Sequence, residues 1–288
     1  MKNNLKLSIL GNPNCGKTSI FNLLSGLNQK VSNYPGITVE KKITHFNIDN
    51  NTDVELHDLP GAYSIIPQSL DEEIVTESIL KWANKVNDRP DALLYVADIT
   101  NLRRNLFFLT QLLPLNIPII LLLNMSDLFN ENMIDINLLK TKLGLHEVIL
   151  FSATKKTGLN KLKKAITVIS KNTDISHNSM CISEQYQTLI APLRKKIKAI
   201  FNTSTEMANQ LSFSLLCNRE LLKNLKLSGD NLHSIVSAKT KIIDTIDKSM
   251  KPNLNTMDSD LRYIFIDEIL SSSNFSDNIN IKKISTSE

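Results

Sequence analysis

Glycine is scarce in this chain: 8 glycines and 9 prolines in 288 residues, against an average glycine usage of about 7%. The protein is therefore not collagen-like, not a flexible linker, and not of low complexity as a whole. Cysteine is scarcer still. Cys15, Cys181 and Cys217 are odd in number and have no CxxC spacing, which argues against a disulfide frame or a zinc site and for a reducing compartment. Charge of one sign is also lacking. A net charge of +4 is too weak to argue for nucleic acid, and the basic runs at 161–164 and 194–196 read as solvated helix faces. Long apolar stretches are missing too. The longest, 93–97 and 118–123, fall far short of the roughly 20 residues that span a bilayer. Met1-Lys2-Asn3-Asn4 does not open a signal peptide, so the chain as given is expected to be soluble. The five histidines are scattered and read as structural or surface residues.

What glycine there is lies unevenly. Gly11, Gly16, Gly26, Gly36 and Gly61 fall in the first 61 residues, the mark of a local need for backbone permissiveness. Around them, residues 1–170 alternate strand and helix patterns. Strands are expected at 5–10, 92–97, 117–123 and 147–151, and a hairpin at 41–48 and 52–57 turns on Asp49-Asn50-Asn51. Helices are expected near 19–27, 71–86, 102–113, 135–143 and 158–170. Continuous apolar runs between helices predict an α/β fold with a mostly parallel sheet covered on both faces. Residues 171–182 read as a polar linker. A small all-α domain is expected over 183–270. Leu189, Leu193, Ile197 and Ile200 form a helical stripe interrupted by Pro192. Thr203 and Glu206 are placed as a capping box, Asp230 as a helix cap, and a last helix over 258–270. The tail 271–288 reads as frayed.

Three motifs carry chemistry. Gly11-Asn12-Pro13-Asn14-Cys15-Gly16-Lys17-Thr18 matches GxxxxGK[ST] between a strand and a helix, the context that makes a phosphate-binding loop credible. The backbone N–H groups and helix N-terminus of such a loop, with Ser19 behind it, favour phosphate. Lys17 would reach the β/γ-phosphates, and the Thr18 hydroxyl would ligate Mg²⁺. Asp58-Leu59-Pro60-Gly61 is a DxxG at a strand end. There Asp58 would hold Mg²⁺ through water, and the Gly61 N–H would sense the γ-phosphate. Asn124-Met125-Ser126-Asp127 follows another strand. A carboxylate at Asp127 can accept from N1–H and N2–H of guanine, which adenine lacks, so it selects GTP over ATP. Asn124 would support the base and tie the loops together, and Ser152-Ala153 fits a further base-contacting loop.

This order of motifs is that of the P-loop GTPases, and the residues resemble ferrous iron transport protein B (FeoB). The likeness rests on the segments 11–18, Tyr-Pro-Gly-Ile-Thr-Val-Glu at 34–40, Asp-Leu-Pro-Gly-Ala-Tyr-Ser at 58–64, and Asn-Met-Ser-Asp at 124–127. Arg262-Tyr263-Ile264-Phe265-Ile266 resembles the stretch just before that family's membrane region. The resemblance implies a cytosolic GTPase domain and a helical spacer, attached in the full-length protein to a membrane transport domain at the cytoplasmic face of the bacterial inner membrane. It leaves a homo-oligomer open; no nucleic acid partner is expected, given the weak net charge. Thr38 fits that family's switch I threonine, closing on Mg²⁺ and the γ-phosphate. Asn14 is similar to the K⁺-coordinating Asn of cation-activated GTPases, with switch I carbonyls near Asn33–Gly36 completing the shell. Ala62 stands where Ras-like enzymes carry a water-orienting Gln, so slow turnover assisted by K⁺ is expected. Glu72 and Glu73 read as the first turn of a helix, with the ordering of water as their other reading. Met125, where many GTPases pack Lys on the base, implies fast GDP release. The other function considered is a soluble regulatory GTPase of the ribosome-assembly type. Residues 183–270 show neither a GXXG loop nor RNP-like aromatics to support an RNA-facing domain.

Overall fold

The apolar run behind Gly11 becomes the central strand of the protein. A computed structural model describes residues 3–26, 29–34, 39–84, 88–169, 177–218, 220–246 and 254–275. In it β1 (Asn3–Gly11) lies between β4 (Thr52–Asp58) and β5 (Ala92–Asp98), parallel to both. β6 (Ile119–Asn124) and β7 (Glu147–Leu150) extend the parallel half. β3 (Glu40–Asp49) pairs antiparallel with β4, as the hairpin reading required, and β2 (Gln29–Asn33) pairs antiparallel with β3. The order is β2-β3-β4-β1-β5-β6-β7. β5 and β6 are buried almost throughout, which is why their sequences are unbroken apolar runs.

Two apolar layers cover the sheet. On one face α1 (Lys17–Ser25) and α5 (Leu159–Ile169) bury Ile20, Phe21, Leu162 and Ile166 against Leu7, Ile9 and Leu122. On the other, α2 (Leu70–Ala83), α3 (Leu102–Leu112) and α4 (Ile136–Leu143) share one continuous core with the C-terminal helices. Those are α6 (Glu184–Phe201), α7 (Thr205–Cys217), α8 (Glu220–Asn224), α9 (Gly229–Thr245) and α10 (Leu254–Ser272). α6 continues through Pro192.

Several local expectations shift. The cap of α7 is Ser204, whose Oγ accepts from the Met207 N–H at 3.1 Å, and not Thr203. Ser228 precedes α9, which leaves Asp230 in its first turn. α8 and β2 were not foreseen. Of the linker 171–182, the part through 176 lies outside the described residues. From His177 onward the chain is pinned, since Nδ1 and Nε2 of this buried ring lie 2.8 and 2.7 Å from the carbonyl oxygens of Gly144 and Ile117. α10 runs past residue 270. Beyond it the Ser273 carbonyl accepts from the Asp135 N–H at 2.8 Å, and Phe275 stacks on Phe129.

A buried polar cluster joins the sheet layer to the helices. Arg262 on α10 is fully buried and donates to Thr110 Oγ1 of α3 (3.1 Å), Gln210 Oε1 of α7 (2.8 Å) and Asp258 Oδ1 (2.8 Å). Asp258 also accepts from the Ser214 hydroxyl at 2.9 Å. Nearby, Arg103 makes a two-point ion pair with Asp267 and lies over the Tyr263 ring.

Candidate functional site

The motif residues converge at the carboxyl ends of β1, β4, β6 and β7, where open α/β sheets bind ligands. β1 stops at Gly11 and α1 starts at Lys17. Between them Asn14 takes φ 64° and Gly16 φ 88°. Asn tolerates that region, and its side chain here is exposed. At Gly16 a Cβ would come within 2.1 Å of Asn124 Nδ2, so only glycine lets the loop close there. The Cys15 thiol is buried, and desolvation pushes it up to about 11. It is a small filler rather than a reactive group. Thr18 and Ser19 are exposed on the first turn of α1, whose N-terminus carries positive potential.

Lys17 and Asp58 are brought together. The Lys17 ammonium pairs with Asp58 Oδ1, and both residues are buried. The DxxG segment then folds back on the loop. The Leu59 N–H donates to Ile9 O at 3.3 Å, and the Ala62 N–H to Gly11 O at 3.2 Å. A Cβ on Gly61 would press on Pro13 at 3.0 Å. Any side chain at 61 would therefore be felt by the phosphate loop.

The loop after Ala62 is closed by Glu72. Its Oε1 accepts from the Tyr63 N–H (3.1 Å) and its Oε2 from the Gln68 N–H (2.6 Å), while its own N–H is capped by Ser69 Oγ. Glu72 thus begins a helix, as expected, but its carboxylate is committed to backbone donors and is not poised to order water. Gln111 Oε1 adds a bond from the Ile65 N–H at 2.9 Å, and Arg104 stacks over Tyr63. A cleft of about 280 Å³ beside this loop is lined by Tyr63, Glu72, Arg104, Phe107, Asn218 and Tyr263. Glu72→Ala removes the acceptor of two backbone donors. A loss of about 1–3 kcal/mol is expected, and limited proteolysis should cut faster within 63–68, with Glu72→Gln intermediate. Unchanged cleavage would contradict this role.

At the other end of the site Asn124 is the tie. Its Nδ2 donates to Cys15 O at 2.9 Å, and its Oδ1 accepts from the Ala153 N–H at 3.1 Å. One side chain thereby holds the phosphate loop and the 152–153 loop together. Met125 sits at φ 63°, the Ser126 N–H bonds Phe151 O, and Asp127 stands exposed beyond them. Ser152 is buried and bridges to Thr157. Thr38 and Gly36 lie outside the described residues.

Two residues behind the loop escaped sequence reading. Tyr95 is fully buried on β5 and reaches Asn12 of the loop, and Asn105 of α3 supplies its carbonyl to the same hydroxyl. Tyr95 stands inside an apolar run, where nothing distinguishes it from a packing residue.

Comparison with known proteins agrees with this geometry. The relatives include the Fe(2+) transporter FeoB of Leptospira biflexa, 34% identical over 206 residues, which are 70% of this chain and 28% of that protein. The Fe(2+) transporter FeoB of Legionella pneumophila is 31% identical over 268 residues, 91% of this chain and 33% of that protein. The chain thus spans a third or less of the length of these relatives. Among solved structures, an S. thermophilus NFeoB mutant bound to mGDP superposes with a TM-score of 0.74 at 28% identity, covering 94% of this chain and all of that one. The cytosolic domain of L. pneumophila FeoB gives 0.72 at 28% identity, covering 93% and 98%. Residues 5–166 match the family described as Ferrous iron transport protein B, and the chain belongs to that family, carrying its N-terminal GTPase fold.

Proposed function

We propose that this chain binds GTP and hydrolyses it to GDP and phosphate, and that in a full-length protein this cycle governs Fe²⁺ passage through an attached membrane domain. The observation that carries the reading is the assembly of one phosphate loop, the Lys17–Asp58 pair and the Asn124 tie at the carboxyl end of the sheet. That solved relatives were crystallised with GDP or mGDP supports it. The Fe(2+) transporter names of the longer relatives support the second half. Among the described residues no helix is long and apolar enough to cross a membrane.

The donor set suits Mg²⁺, a hard cation that takes oxygen ligands. The Thr18 hydroxyl and, through water, Asp58 would hold it, with Thr38 closing from switch I. The metal would supply charge neutralisation on the phosphates. Asp127 would read guanine. Among the described residues, neither Ala62, which is buried, nor Glu72, whose carboxylate is committed to backbone donors, replaces the missing Gln. Rate must then come from positioning and positive charge. Asn14, exposed beside the phosphate site, offers an amide oxygen to K⁺.

The test is hydrolysis of GTP and ATP in K⁺ and in Na⁺. GTP but not ATP should turn over, faster in K⁺, and Asn14→Ala should erase the K⁺ advantage while slow hydrolysis remains. Equal rates in both salts for the unmutated protein would remove the K⁺ role, and equal use of ATP would remove the base assignment.

A further inference from the structure

We infer that Tyr95 is a positioning residue for the phosphate loop, acting through the side chain of Asn12. Tyr95 occupies the middle of β5, between β1 and β6, with no exposure at all. Its Oη lies 2.6 Å from the Asn105 carbonyl oxygen of α3 and 3.1 Å from the Asn12 side-chain oxygen. Burial holds the phenol well above its ordinary range, so the hydroxyl keeps its proton.

A phenol has one proton to give. The shorter contact, to the Asn105 carbonyl, takes it. Toward Asn12 the oxygen then offers only a lone pair, and a lone pair facing the carbonyl oxygen of an amide is repulsive. Meanwhile Asn12 Nδ2 is a buried donor with no partner among the described residues. Turning the Asn12 amide about its last torsion resolves both problems, because the orientation of a side-chain amide is fixed by its partners. Nδ2 then donates to Tyr95 Oη, and Oη–H donates to the Asn105 carbonyl. The result is a two-bond relay from the phosphate loop through the sheet to α3.

The relay has a geometric purpose. Asn12 is the fixed end of the turn that aims the loop amides, since its carbonyl accepts from the Cys15 N–H at 3.4 Å. Its side chain is buried, whereas the tip of the loop at Asn14 is exposed. Pinning Asn12 from behind sets the turn without occupying the face that phosphates would approach. A phenylalanine at 95 would fill the same space and leave the Asn12 amide unpaired in a dry site, which is costly.

The inference rests on the nucleotide reading above, and the experiment separates the two. GDP affinity is measured by titration for the parent, Tyr95→Phe, Asn12→Ala and the double variant, with the thermal midpoint of each recorded alongside. Failure of the parent to bind GDP would sink the nucleotide reading itself. With the parent binding, Tyr95→Phe should weaken GDP about 10-fold, because the turn at Asn12 is no longer held in the form that aims the loop amides; a tenfold loss corresponds to about 1.4 kcal/mol of lost positioning. In the Asn12→Ala background the same change should have no further effect on affinity. Affinity unchanged in Tyr95→Phe, or weakened equally in both backgrounds, would overturn the assignment. The second result would mean that Tyr95 acts through general packing, which shifts thermal midpoints but shows no coupling to Asn12.

Discussion

Lys17→Met should lower GTP turnover by about 10²–10³, the cost of removing one preorganised charge from a phosphoryl-transfer site. Methionine has nearly the length of lysine, so the loss is one of charge rather than shape. The structure adds a second expectation. Lys17 pairs with the largely buried Asp58, so the variant also leaves a mostly desolvated carboxylate without its partner, which destabilises the chain. Adding Asp58→Asn should relieve that stress and recover the thermal midpoint without recovering turnover. Steady-state GTPase assays and thermal unfolding of the two variants test both parts. Parental turnover in Lys17→Met would place the chemistry elsewhere.

Asp258→Ala should be strongly destabilising although it lies outside the nucleotide site. It leaves the Arg262 guanidinium, which has no solvent exposure, with only the neutral acceptors Thr110 and Gln210. Breaking a buried ion pair on one side costs about 3–5 kcal/mol, a fall in Tm on the order of 10 °C for a chain of this size. Replacing both partners, Asp258→Leu with Arg262→Met, should recover most of the loss, because a buried pair exchanged for apolar groups of similar volume is often neutral. Urea unfolding of the three proteins measures this. Equal destabilisation by the single and the double change would mean that the cluster stabilises through shape and not through charge pairing.

Sequence and structure agree where one physical demand dictates one residue pattern. A strand buried on both faces must be an uninterrupted apolar run, which makes β5 and β6 visible. A loop that wraps phosphate needs glycine at set spacings, and Gly11, Gly16 and Gly61 announced it. Features held by partners distant in sequence were not visible. β2 has Val31 as its one apolar residue and is a strand only because β3 supplies its ladder. Cap positions slipped by a residue or two because Thr203 and Ser204, or Ser228 and Asp230, are all fit to cap, and tertiary packing chooses between them. Glu72 was legible as the start of a helix but not as the clasp of the loop before it, because its two acceptor bonds reach back four and nine residues. Arg262 was read as part of a family likeness. That an arginine would be among the largest fully buried side chains could not be foreseen without Asp258, Gln210 and Thr110 in place around it.

The cysteines have a practical consequence. Burial pushes Cys15 up to about 11 and Cys217 to about 12, and both are enclosed, whereas Cys181 is exposed. A thiol-reactive dye offered to the native fold therefore has one open address. That address lies between the pinned His177 and the start of α6, at the joint where the sheet layer hands over to the helices. The native sequence thus offers a site for a spectroscopic reporter, with no engineered residue, at the junction between the sheet layer and the C-terminal helices.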